Sequence, residues 1–480
     1  MGLNKKNTLH ILHTNDLHSH FEEMARIATG LKQLRLELQK QGYPVVTVDL
    51  GDHMDRMRLQ TEATWGQVNV DVLNETRYDF VTIGNNEGLT FPRPKFNELY
   101  RNAAFSVICA NLLDAKTKQP PPFLRSYTIT KYGDFTVGWI GVTASFPEVY
   151  KLLGFITLDP TRVVAEQVAS IRPYVDIIIV LSHVGYQWDV EMARNIDGID
   201  VILGAHTHTY LAEGERINHT LVCQTGKFGQ NIGHVTITYD KLKKTICKLE
   251  ARCLPTHLYK PDGKVERIVD RHRRHAEQVM GEVVARLEYD LPVSWEEESP
   301  LGNLLAAGLR SWVDAEIGIV NSGTLLFSLE KGNITRKDIL SLCPHPINPC
   351  RMKLTGEQLL DILEESLNEE IIKKQIQGFG FRGKVLGCLC VDGADIYYNP
   401  LAPVGRRIVR VEVQGRPLRK KQLYSVGTID MFTFGIVFPT FQKGLGTKFY
   451  LPEFLRDVLE KQLRTKEALE KSLNRHWYAE

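Results

Sequence analysis

Seven short apolar runs in the first half of the chain alternate with longer stretches, and five of the seven end on residues able to bind a metal ion. The runs are Leu9–Thr14, Val45–Leu50, Phe80–Gly84, Ser106–Ala110, Phe135–Val142, Ile177–Ser182 and Val201–Gly204. Between the first two, Phe21–Gln41 carries Ile27, Leu31, Leu34 and Leu38 at three- and four-residue spacing, the pattern of an amphipathic helix. Thr161–Ile171 reads as a second helix. The alternation predicts an α/β domain with a largely buried sheet. In open sheets of that kind, sites gather beyond the carboxyl ends of the strands, so loops far apart in sequence can converge.

Those loops carry Asp16-x-His18 in "HTNDLHSH", Asp52 in "VDLGDH", Asn85 in "IGNNEG", His183 in "VLSHVG" and His206-x-His208 in "LGAHTH". Each alone is a weak signal. A Gly-Asn-Asn-Glu run is ordinary turn chemistry, and a histidine is as often a packed or solvated residue as a ligand. Five such loops in one domain are hard to assign to chance. Taken in this order and spacing, "DLH", "GD", "GNNE", "SHVG" and "GAHTH" resemble the calcineurin-type metallophosphoesterase signature. The whole chain is similar to the 5'-nucleotidase/UDP-sugar hydrolase/2',3'-cyclic phosphodiesterase family, with "ESPLGNLLAAGLR", "IVNSGTLLFSLEKGNIT" and "PINPCRMKLTGEQLLDILEESL" supporting it in the second half. The "GNNEG" variant points to its bacillary, YunD-type branch.

The resemblance implies an N-terminal four-layer αββα sandwich over residues 1–256, a linker helix over 257–284 and a C-terminal α/β substrate-binding domain over 285–480. It implies one divalent metal ion on Asp16, His18, Asp52 and His208, and a second on Asp52, Asn85, His183 and His206, with Asp52 bridging. Chemistry asks for the same arrangement: two ions roughly 3.5–4 Å apart clamp a phosphoryl group during in-line attack by a metal-activated hydroxide. Mixed imidazole and oxygen ligands suit Mn, Zn, Fe or Co. Asn85 is then a neutral oxygen ligand that limits the negative charge of the site.

Asn86 departs from the family, which usually carries a histidine there, and Leu89 stands where an aspartate often supports that histidine. A carboxamide can orient a phosphoryl oxygen, but it is no general acid near pH 7. The expected bias is toward leaving groups that need no proton, such as phosphate or a phenolate. His20 and His53 are candidates to replace the lost acid, read otherwise as solvated loop histidines, and Arg56 and Arg58 are candidates to face an anionic substrate, read otherwise as exposed basic residues. In the C-terminal domain Phe381 matches one of the family's base-stacking aromatics, with Arg382 beside it, and Asn321 and Gly323 keep the family's positions. Met431, Leu326 and Val437 replace an aromatic, an arginine and an aspartate. Phe434, Phe438 and Phe441 read as core.

Composition narrows the partners. With 59 basic and 57 acidic residues the chain has no global pull toward nucleic acid, so phosphate recognition must be local. No stretch approaches the roughly 18 apolar residues needed to cross a bilayer. The stretch "MGLNKKNTLHILHTND" lacks the pattern of an export signal, and the scattered cysteines read as reduced, with Cys388-x-Cys390 in core packing; the expected location is the cytoplasm. Val265–Val284 reads as a charged, exposed helix between domains, and the family's interdomain helix implies a hinge. Further helices are expected at Leu301–Val313 and Gly356–Glu370, strands at Ile408–Val413 and Gln422–Thr428, and a helix at the C-terminus. The expected function is a dimetal phosphoesterase acting on a nucleotide-like small molecule. The alternatives are a phosphodiesterase or phosphatase for a non-nucleotide ester, and a metal-bound ligand sensor with little turnover.

Overall fold

The computed structural model describes residues 7–376, 378 and 380–480; residues 1–6, which open the N-terminal stretch, and Phe379 of the "FGFRG" segment lie outside the described residues. The chain divides into two compact units, one up to Ala276 and one from Glu277, and the division falls inside the helix Gly263–Met280. That helix stops short of the expected Val284 because Gly281 interrupts it and Val283–Leu287 pairs as a strand with Gly332–Thr335.

The first unit packs two sheets face to face. Thr8–Thr14 lies inside a seven-stranded sheet, parallel to Val45–Asp49 on one side and antiparallel to Asn231–Asp240 on the other. Ile177–His183 lies inside a six-stranded sheet, parallel to Phe135–Thr143 and Val201–Leu203. Leu9, Ile11, Val46, Val48 and Ile108 of the first sheet meet Val137, Trp139, Ile179, Leu181 and Leu203 of the second, forming the core between them. Period-two side-chain alternation sends the intervening residues outward. On the second sheet, Ile140, Ile178, Val180 and Ile202 are thereby turned toward helices Pro160–Ile171 and Tyr186–Asn195. On the first sheet, Met24, Ile27, Ala28 and Leu31 of helix Phe21–Lys40 are buried, and this helix packs on Val45–Asp49 and Asn231–Asp240. Helix, sheet, sheet and helix give the expected four layers.

Six of the seven expected strands keep their extent to within two residues. The third shortens to Phe80–Val81, because the chain turns into a short helix, Asn85–Thr90, that begins inside the GNNEG motif. The long antiparallel pair Asn231–Asp240 and Thr245–Pro255 was not expected, since the second of these strands is half exposed and charged.

In the second unit, Ile317–Asn321 lies in a five-stranded sheet between Leu389–Asp392 and Leu423–Ile429, and helix Pro300–Trp312 packs on all three strands. A four-stranded sheet adds Ile408–Val413 and Ala394–Tyr398. The expected helix over 356–370 breaks at Asn368, whose side chain caps a separate turn Glu369–Ile372. The C-terminal helix is two, Leu455–Leu463 and Lys466–Lys471. Phe438 and Phe441 are core, as expected, whereas Phe434 is 46% exposed. Cys388 and Cys390 are buried free thiols. Among the described residues no helix is long and apolar enough to cross a membrane.

The two sheets of the first unit come close at Gly141, where an added Cβ would lie 2.0 Å from the Ile108 carbonyl oxygen. Gly141→Ala is therefore expected to cost about 1–3 kcal/mol through overpacking. Thermal unfolding checks it: an unchanged Tm contradicts the close approach.

Candidate metal centre

The site is built at the carboxyl ends of the parallel strands, where the loops following Thr14 and Asp49 are laced together. The Asp16 N–H donates to the Gly51 carbonyl (3.1 Å), His18 N–H to Asp52 (2.8 Å) and Ser19 N–H to His53 (2.9 Å). The lacing holds Asp16, His18, Ser19 and Asp52 at φ between 46° and 55°, a left-handed region that non-glycine residues rarely occupy. His206 (φ 77°) and His208 (φ 57°) share that strain. Such strain collects where a site must aim its side chains.

Glu87 anchors the lacing from below. Its buried carboxylate accepts N–H bonds from Asp52 (3.0 Å), Met54 (2.9 Å) and Gly84 (2.9 Å). Burial, together with the nearby Asp52 carboxylate, pushes the Glu87 acid up to about 7. Gly84 leaves room for this: a Cβ there would sit 2.1 Å from Asp52 Oδ1. The GNNEG segment thus opens its helix on Asn85, and its glutamate braces the aspartate loop beside it. Glu87 was quoted in the motif but not given a role, and its spacing to Asp52 carries no sequence signal.

All seven expected ligands converge. His18 Nε2 and His208 Nε2 are 3.2 Å apart, and Asp16 Oδ1 lies 3.9 and 3.6 Å from them. Asp52 presents Oδ2 to His18 Nε2 (3.8 Å) and Oδ1 to His183 Nε2 (3.4 Å), so one carboxylate faces both clusters. Asn85 Oδ1 lies 3.3 Å from His183 Nε2 and 2.7 Å from His206 Nδ1. His183 gives its Nδ1–H to the Leu50 carbonyl (2.7 Å), which turns Nε2 toward the centre as the nitrogen that would bind an ion.

The electrostatics are those of a site short of positive charge. Burial alone raises a carboxyl, and it raises Asp16. Against that same burial, His183, His18 and the Asn86 N–H hold Asp52 well below the ordinary carboxylate range. Its partner His183 is pushed up to about 10, the Asp52 carboxylate outweighing burial. Burial pushes His206 down to about 4 and His208 to about 3, so both are neutral at pH 7. Two buried carboxylates, four imidazoles of which His206 and His208 are neutral, and a carboxamide oxygen fit divalent cations. For His18, a cation on Nε2 requires the ring proton on Nδ1, and the negative charge of the Asp55 carboxylate 3.7 Å away favours it there. Asp55 was not singled out in the sequence.

The remaining candidates fall elsewhere. Asn86 is buried; its amide nitrogen donates to the Met54 carbonyl (3.0 Å) and lies 2.9 Å from His18 Nδ1. His53, one of the two candidate acids, is 2% exposed beside Asn69. Arg56 is buried, paired with Glu62 (2.7 Å) and laid over the Trp65 ring. His20 and Arg58 stay at the surface of the site, 3.3 Å apart. In the second unit, Phe381 is 4% exposed with its ring stacked on buried His345, and the Arg382 N–H donates to His345 Nδ1 (2.9 Å). Asn321 is buried and donates to the Leu386 carbonyl (2.6 Å). Gly323 is packed so closely that a Cβ would meet the Val385 carbonyl at 2.0 Å.

Residues 9–210 match the family model for calcineurin-like phosphoesterase, and residues 279–443 match that for 5'-nucleotidase, C-terminal domain. The chain is 36% identical over 455 residues to the uncharacterized metallophosphoesterase YunD of Bacillus subtilis (strain 168), covering 95% of this chain and 98% of that protein. The chain belongs to the calcineurin-like metallophosphoesterases with a 5'-nucleotidase C-terminal domain. It is therefore a phosphoric ester hydrolase. This metallophosphoesterase is also 26% identical over 410 residues to the trifunctional nucleotide phosphoesterase protein YfkN of the same organism, covering 75% of this chain and 28% of YfkN. The crystal structure of Haemophilus influenzae NAD nucleotidase shares its fold, with a TM-score of 0.68, 17% identity, and 98% and 99% of the two chains covered.

Replacing Glu87 by Ala in the metallophosphoesterase leaves three buried N–H groups without their acceptor. It is expected to weaken Mn²⁺ binding about 10–100-fold, the usual effect of removing a group that orients a ligand. Titration calorimetry checks it, and wild-type affinity in the variant contradicts the bracing role.

Proposed function

We propose that the enzyme hydrolyses a phosphate ester or anhydride of a nucleotide-like small molecule at a centre of two divalent ions. The observation that carries this reading is the single carboxylate of Asp52 facing two clusters of donors, Asp16, His18 and His208 on one side and Asn85, His183 and His206 on the other. Those are the residues that would hold the ions, with Mn, Zn, Fe or Co suited to the mixed donor set. Such ions, when bound, supply Lewis acidity toward phosphoryl oxygens and acidify a water molecule.

The chain's own residues set what leaves easily. Asn86 has no acidic proton to give, and its amide nitrogen donates to the Met54 carbonyl. His53 is shut in the interior. A leaving alkoxide needs a proton in the transition state, whereas a leaving phosphate or phenolate does not. The likeness to the nucleotide phosphoesterase YfkN supports a nucleotide-like substrate. One observation favours a second reading, a non-nucleotide ester: Phe381, the ring matched to base stacking, has His345 stacked on it and is almost wholly covered. The eight free cysteines support a reducing compartment, and we place the enzyme in the cytoplasm.

Phosphate release by Mn-loaded protein tests the proposal across nucleoside mono-, di- and triphosphates, UDP-glucose, cyclic nucleotides and p-nitrophenyl esters. Diphosphates and p-nitrophenyl phosphate are expected to exceed nucleoside monophosphates by about 10²–10⁴-fold in kcat, the usual worth of acid assistance. Asp52→Asn is expected to abolish turnover throughout. A nucleoside monophosphate that outruns its diphosphate sinks the leaving-group argument, and turnover that survives in Asp52→Asn sinks the site.

A further inference from the structure

At the edge of the metal centre the rings of His20 and Phe228 stack, with centroids 4.2 Å apart and planes 28° from parallel. Phe228 also meets His18 at 5.7 Å and His208 at 6.2 Å. Its place is fixed by the backbone, at φ 59°, with its N–H donating to the Asp16 carbonyl (2.7 Å). Two cations flank the stacked rings. Lys227 Nζ lies 4.7 Å from the Phe228 centroid, and Arg58 Nη2 lies 3.3 Å from His20 Nδ1. Among the described residues no carboxylate pairs with Lys227. Among the described residues the carboxylate that Arg58 meets is Glu22, in a long contact (3.8 Å) and with a side chain 74% exposed and therefore well screened by solvent.

A nucleobase finds little purchase here, because His20 stacks on the Phe228 ring and Lys227 lies over it. What the rim offers is an ammonium and a guanidinium, each held by a ring, beside the imidazoles of the centre. We propose that Lys227 and Arg58 recognise a second phosphate group on the substrate, which makes the substrate class a diphosphate. This rests on the hydrolase reading above and adds the residues that select the leaving group. In the reaction, water adds to the phosphorus at the centre and the bridging P–O bond breaks. The bridging oxygen departs with the electron pair on the second phosphate, and the proton released by water goes to solvent. The charge that grows on the departing phosphate is met by two fixed cations, which is where electrostatic stabilisation acts. No acid is required, in keeping with an asparagine at position 86.

The test uses full-length, metal-loaded protein and two non-hydrolysable probes, methylenediphosphonate and methylphosphonate, with affinities read by titration calorimetry. The wild type is expected to prefer the diphosphonate by about tenfold or more, and Lys227→Gln to cut that preference about tenfold, the worth of a hydrogen bond to a charged group. Gln keeps an apolar stem over the ring, so folding is preserved. Arg58→Gln and the double variant extend the series, and metal stoichiometry and Tm are measured alongside. No preference in the wild type, or an undiminished one in the double variant, overturns the proposal. A preference lost in the double variant upholds it even where wild-type protein turns over no phosphate, an outcome that would remove the hydrolase reading instead.

Discussion

The metal centre depends on one buried carboxylate. Glu87 takes three main-chain N–H groups, two from the loop that carries Asp52 and one from the turn that carries Asn85. Each of those donors would otherwise be a buried polar group without an acceptor, which costs on the order of 1–3 kcal/mol apiece. The carboxylate gives them one shared partner and, in doing so, fixes the distance between two loops that belong to neighbouring strands. The left-handed conformations of Asp16, His18 and Asp52 become tolerable on that footing, because the lacing Asp16–Gly51, His18–Asp52 and Ser19–His53 over-determines them.

Charge explains the choice of ligands around this scaffold. Two carboxylates, Asp16 and Asp52, are buried, and among the described residues no lysine or arginine forms an ion pair with either. Desolvation penalises them, and His183 and His18 offset it by holding protons they would not hold in water, beside the N–H bonds from Asn86 to Asp52 and from Asn15 to Asp16. A third carboxylate at position 85 would add a charge that no nearby group balances. A carboxamide supplies an oxygen at no such cost. Divalent cations held by these residues would complete the balance, and their binding would displace the protons from the histidines.

Much of this was legible because strand and loop chemistry are local. An apolar run closed by Asp, His or Asn needs few residues to be recognised, and parallel topology then brings the run ends together. What was hidden depends on partners distant in sequence. His53 and Arg56 belong to the same hydrophilic segment as Asp52 and Arg58, yet Asn69 and Glu62 draw them into the interior. Glu87 reads as part of a turn until the N–H groups of residues 52 and 54 are seen above it. Lys227 and Phe228 lie in "QTGKFG", where nothing in composition or periodicity marks a recognition element. Their meaning comes from ring stacking on His20, more than 200 positions away.

The same comparison bears on where selectivity resides. In the second unit, residues at the family's substrate positions have become parts of its own packing: Phe381 stacks on His345, Asn321 holds the Leu386 carbonyl, and Gly323 lets the Val385–Leu386 backbone pass. His345 fixes this arrangement with both ring nitrogens, Nε2 to the Thr324 carbonyl (2.8 Å) and Nδ1 to the Arg382 N–H. Burial holds its acid form down to about 3, so the ring stays neutral and its two bonds persist across the physiological range. To expose Phe381 for stacking would break a fully satisfied buried pair and leave His345 polar atoms in an apolar surround, a cost comparable to the roughly 1–3 kcal/mol that base stacking returns. Recognition of a base through that ring is therefore close to energetically neutral. Fixed cations beside the metal centre act without such a rearrangement, and the charge of the substrate is the property they read.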